Sequence, residues 1–113
     1  MIRHVALFSF KPETSAEDRE ATLETMRRAR DVPSVRTMEL GRVVPTSSLH
    51  ARGNYQYAVT MTFDNVAGFE EYLAHPLHKA FGPWVFRCLE EPDIWTGQFE
   101  LEVLKAHPGA GPG

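Results

Sequence analysis

The first ten residues constrain the fold more than any other stretch of the chain. Read as an extended strand, Ile2, His4, Ala6, Phe8 and Phe10 fall on one side and Val5 and Leu7 on the other. Both faces are apolar, whereas a sheet with one face in water alternates apolar with polar. Such a strand has to be covered twice, by helices on one side and by a second body on the other. Lys11-Pro12 ends it.

The remaining segments supply only one of those two covers. Thr14 or Ser15 can cap a helix, Glu17 and Asp18 suit its positive end, and the pattern stays helical through about Arg30, with Leu23 and Met26 facing inward. Pro33 breaks it. Val35 to Val44 reads as a second strand in which Gly41 marks a bulge. Residues 45–54, rich in Pro, Ser, Gly and Asn, read as an exposed loop or lid. Tyr55 to Phe63 is the strongest strand, with Tyr57, Val59, Met61 and Phe63 on one face. Asp64 or Asn65 then caps a helix carrying Val66, Phe69, Tyr72 and Leu73 at helical spacing.

His75-Pro76 ends that helix and starts another, because proline disfavours helical geometry in the residue before it yet suits a first turn. Gly82-Pro83 makes a further break, Trp84, Val85, Cys88 and Leu89 continue an apolar face, and Ile94 to Val103 forms the last strand. The domain is expected to span 1–104, with a disordered tail over 105–113. The order β-α-β-β-α-α-β is the ferredoxin-like split βαβ with an extra helical turn: an α+β fold, a four-stranded antiparallel sheet with helices on one face. A second copy is the simplest cover for the bare face, giving a homodimer and a dimeric α/β barrel. A chain of 113 residues buries a modest share of its surface alone, so association helps it.

Charge narrows the partners. A net charge of −3 offers no basic field for nucleic acid. No apolar run approaches the roughly 20 residues that cross a bilayer, so no membrane partner is expected and the default location is cytoplasmic. The single Cys88 can form neither an internal disulfide nor a zinc knuckle.

The opening Met1-Ile2-Arg3-His4-Val5-Ala6-Leu7-Phe8-Ser9-Phe10-Lys11 and the run Tyr72-Leu73-Ala74-His75-Pro76-Leu77-His78-Lys79-Ala80-Phe81 resemble the stress-responsive dimeric A/B barrel (Dabb) family. The second stretch, YLxHPxHxxF, is the more specific. The resemblance implies the same dimeric barrel, and activities as different as polyketide cyclisation, hydroxynitrile cleavage and stress functions without known chemistry. Tyr72 and His78 match the catalytic tyrosine and histidine of the family's polyketide cyclase, and His4 matches a pocket histidine. Tyr57 stands where the cyclase has another pocket histidine, and Thr25 near a pocket tyrosine, so the acyl-binding end is expected to differ.

The chemistry these residues allow is cofactor-free acid/base work on a β-carbonyl compound, small and hydrophobic or polyketide-like. With His78 in the first turn after Pro76, the helix dipole favours a neutral ring that accepts the phenolic proton of Tyr72. A cavity walled by His4, Tyr57, Val59, Phe81 and Trp84 would hold the substrate chain. The competing reading is a Tyr72–His78 contact that only satisfies a buried phenol. His75 reads as a helix-boundary residue. The pair His75 and His78 lacks the further ligands that zinc requires, so no metal is expected. Two other functions compete: a non-catalytic stress or small-molecule-binding dimer, and a cofactor-free monooxygenase built around Trp84 and Trp95.

Overall fold

The computed structural model describes residues 1–44, 55–81, 88–90 and 95–105. Strand β1 (Ile2–Phe8) is followed by helix α1 (Ala16–Arg27) and a 3-10 turn (Arg28–Asp31). Then come β2 (Thr37–Arg42), β3 (Tyr57–Phe63), α2 (Val66–Ala74), the single-turn α3 (Pro76–Lys79) and β4 (Trp95–Glu100). The strands form one antiparallel sheet in the order β2-β3-β1-β4. This is the ferredoxin-like arrangement expected from the order of segments. The loop at 45–54, the Gly82-Pro83 break, Trp84 and the tail from 106 lie outside the described residues.

Local chemistry sets the boundaries. Of the two candidate caps for α1, Ser15 is the one used: its hydroxyl accepts the Asp18 amide hydrogen at 3.0 Å, with Glu17 and Asp18 in the first turn. Asn65 does the same for α2, accepting from the Gly68 amide at 2.9 Å. Phe10 no longer belongs to β1. It makes an isolated bridge to Leu89, and Lys11 and Glu90 amides bond the carbonyls of Cys88 and Ser9, both at 2.9 Å, which draws residues 88–90 against the end of the strand.

Gly41 does not mark a bulge. The β2–β3 register runs without interruption through Leu40↔Val59, Gly41↔Ala58 and Arg42↔Tyr57, and a side chain at position 41 would meet only ordinary contacts. Glycine is tolerated there because Gly41 sits exposed on an edge strand.

One sheet face carries the core, in which Phe8, Met61 and Phe63 pack against Leu23, Met26 and Tyr72. The opposite face carries Val5 and Leu7 from β1, Ala58 and Thr60 from β3, and Trp95 and Phe99 from β4, as the register requires. No element of the chain covers it among the described residues. Trp95 and Phe99 are 43% and 48% exposed, and their rings stack at 6.2 Å. Gly97 lies between them, where a Cβ would come within 2.7 Å of Trp95 and 3.1 Å of Phe99. Glycine thus lets both rings close over the strand.

Candidate active site

A cavity of about 410 Å³ opens between the helices and the core face of the sheet. β1 contributes His4, Ala6 and Phe8 to its floor, β3 contributes Val59 and Met61, and the flanking strands add Met38 and Thr96. Its roof comes from Met26 of α1, Tyr72 and Leu73 of α2, His78 and Lys79 of α3, and Phe81 and Leu89 beyond. The wall is mostly apolar with a few polar groups, and the volume is that of a small-molecule site.

Tyr72 projects from α2 into the core and is 1% exposed. It touches His78 edge to face, with ring centroids 4.7 Å apart, and lies 6.1 Å from His4 and 5.5 Å from Phe63. Burial raises the phenol pKa well above its usual 10, so the hydroxyl stays a proton donor at neutral pH.

His78 is held by backbone rather than by Tyr72. Its Nδ1 lies 3.0 Å from the Leu73 carbonyl, which can only accept, so Nδ1 carries a proton and in the neutral tautomer the lone pair is on Nε2. Tyr72 and His78 therefore meet as rings, and among the described residues no hydrogen bond joins them. The expectation that a helix dipole sets the state of His78 gives way for the same reason. α3 is one turn long, too short for a substantial dipole, and the Leu73 carbonyl fixes the ring.

His75 stands at the α3 N-cap, where its Nδ1 accepts the Leu77 amide hydrogen at 3.1 Å and Pro76 opens the turn. The Nδ1 atoms of both His75 and His78 are committed to backbone. Among the described residues no group of three or more His, Cys, Asp or Glu is placed to hold a metal. His75→Ala should remove the cap and cost about 1 kcal/mol of stability. Thermal melting checks it: a lowered midpoint is expected, with ligand binding in the cavity retained.

His4 is buried, with Nδ1 at 3.0 Å from the Gln98 side-chain amide and its ring 5.1 Å from Phe69. Burial lowers its pKa from 6.5, the nearby His78 adds to the effect, and the Gly97 backbone opposes both. The folded protein thus keeps His4 neutral at a pH where the unfolded chain has begun to protonate it. Below about pH 6.5 the unfolded state binds more protons, so stability falls as pH drops through the lowered folded value. Urea unfolding between about pH 8 and pH 5 should show this loss, and His4→Gln should flatten it.

Five of the residues singled out in the sequence line the cavity together: Tyr72, His78, His4, Val59 and Phe81. Tyr57 does not. It shares the core face, but stacks on Phe8 at 5.4 Å and meets Phe10 edge-on at 5.5 Å, in an aromatic cluster past the cavity. Thr25 is also outside the lining, and its hydroxyl returns to the Ala21 carbonyl at 2.9 Å. Trp95 is on the opposite face of the sheet. Met26, Met38, Leu89 and Lys79 were not anticipated as lining residues. Met26 and Leu89 had the signal of an inward or apolar face, whereas Met38 reaches the site through its pairing with Met61, itself opposite His4, a register the sequence does not state.

Comparison with known proteins agrees with the fold. The model of the stress responsive A/B barrel domain matches residues 2–92. Olivetolic acid cyclase from Cannabis sativa is 25% identical over 91 residues, covering 80% of this chain and 87% of the cyclase. The crystal structure of a dimeric ferredoxin-like protein of unknown function from Thermobifida fusca is 27% identical with a TM-score of 0.73, over 88% of this chain and 90% of that one. Hydroxynitrile lyase from Passiflora edulis shares the fold with a TM-score of 0.77 over 89% of this chain and 93% of the lyase, at 17% identity. No helix among the described residues is long and apolar enough to cross a membrane.

Proposed function

The chain belongs to the stress responsive A/B barrel domain family, and from that membership we propose that it is a cofactor-independent acid/base enzyme, an aldol cyclase or lyase acting on a small β-carbonyl compound. The observation that carries this reading is an apolar cavity in which a buried phenol and an imidazole, whose Nε2 has no hydrogen bond among the described residues, are adjacent. The distant likeness to olivetolic acid cyclase supports it.

The roles follow from the two environments. Since burial makes a phenolate costly, Tyr72 serves as donor and His78 Nε2 as base. Nε2 takes a proton from the carbon between two carbonyls, and the electron pair passes to the carbonyl oxygen. Tyr72 donates a hydrogen bond to that enolate oxygen. The enolate carbon then attacks a second carbonyl of the same chain, and the imidazolium returns its proton to the new alkoxide. Lyase chemistry runs the same steps backwards. Apolar walls keep the chain folded for closure.

The active form is a homodimer. The sheet face bearing Val5, Leu7, Trp95 and Phe99 has no cover among the described residues of its own chain, and a second copy supplies it by an isologous contact. The Thermobifida fusca relative, which is dimeric, supports this assembly.

Exchange of the central C–H of a β-keto thioester, followed by NMR in D2O, tests the chemistry at its first step. Catalysed exchange above the buffer rate is expected. Exchange at the buffer rate alone, with the ligand bound, would reduce the cavity to a binding site.

A further inference from the structure

Lys79 ends α3 and is, among the described residues that line the cavity, the one Lys or Arg, and none of those residues is a carboxylate. It is exposed while the preceding His78 is half-buried, so its aliphatic stem borders the cavity and its ammonium stays in water. The 3-10 turn packs against α3 and presents exposed Arg28 and Arg30 against the single carboxylate of Asp31. The chain as a whole carries 15 acidic and 12 basic residues. A lysine at this cavity, with two exposed arginines on the turn packed against its helix, thus runs against the overall balance.

The geometry points to Lys79 as the residue that selects an anionic ligand: the cavity takes a compound with an apolar chain and a carboxylate, the carboxylate resting at Lys79. This deepens the catalytic reading and rests on it for the placement of the reacting carbonyl. Lys79 directly follows His78, so the charge lies within a side chain's length of the carbonyl that Tyr72 and His78 address. That spacing fits a β-keto carboxylate better than a compound charged at its far end. Met26, Met38 and Met61, unbranched and polarizable, suit an extended hydrocarbon chain.

Calorimetric titration with octanoate and with methyl octanoate separates charge from chain. Octanoate should bind Lys79→Met about fivefold more weakly than wild type, with methyl octanoate unchanged and only octanoate weakened by salt. Equal affinities of both probes for both proteins would overturn the assignment. The variant replaces an exposed side chain, so its melting temperature should match wild type. The two readings fail separately. Loss of octanoate affinity in Lys79→Met without catalysed C–H exchange keeps the anion site and removes the catalysis, whereas exchange with octanoate indifferent to Lys79 does the reverse.

Discussion

Replacing Tyr72 by phenylalanine should lower turnover by about 10²-fold or more, which is about 2.7 kcal/mol of transition-state stabilisation, while the protein stays folded. The ring keeps its packing against Phe63 and Phe69, at 5.5 and 6.4 Å, and only the hydroxyl is lost. Among the mainly apolar side chains that line the cavity, that donor at the enolate oxygen is poorly replaced. His78→Ala should cost a similar factor by removing the base. It also frees the Leu73 carbonyl and opens the contact with Phe81 at 5.4 Å, so its melting temperature should fall where that of Tyr72→Phe does not. A rate loss in His78→Ala that tracked the loss of folded protein would point to structure alone. A loss at saturating substrate, below the melting transition, points to chemistry.

Leu7→Glu should split the homodimer. Leu7 pairs with Ala58 on one side and Trp95 on the other, on an inner strand of the bare sheet face. A carboxylate there is solvated in a free chain but stripped of water in an isologous pair, and the two-fold axis brings in a second one. An unpaired buried charge costs several kcal/mol, so the dissociation constant should rise by about 10³-fold. Light scattering at micromolar concentration is expected to give two chains for wild type and one for the variant, with far-UV circular dichroism retained. A wild-type mass of one chain would remove the dimer.

The fold was legible because each of its signals is local. The two-sided apolarity of β1, the serine and asparagine caps and the His75-Pro76 junction are all set within a few residues, and the structure has each of them. Position along a strand is a different matter. Period-two alternation puts Tyr57 on the same face as Val59 and Met61, which is correct, but it does not say that the cavity stops short of Tyr57. That depends on Phe8 meeting it across the β1–β3 register. Gln98, which meets His4 from 94 residues away, has no local signal at all. The bond from His78 to the Leu73 carbonyl is local, yet it depends on how α2 and α3 turn about His75. Without it, the sequence favoured Tyr72 as the proton-transfer oxygen, whereas the proposed mechanism keeps the buried phenol as donor and makes His78 the base.

The central claim is that Tyr72 and His78 act as one unit on one carbonyl substrate. The most direct test is a double-mutant cycle on the turnover of a linear β-polyketone thioester, using wild type, Tyr72→Phe, His78→Ala and the double variant. If donor and base serve the same enolate, either single change removes most of the acceleration and the double variant is little slower than either. Full rate in both single variants on a competent substrate, or losses that simply multiply in the double variant, would contradict it.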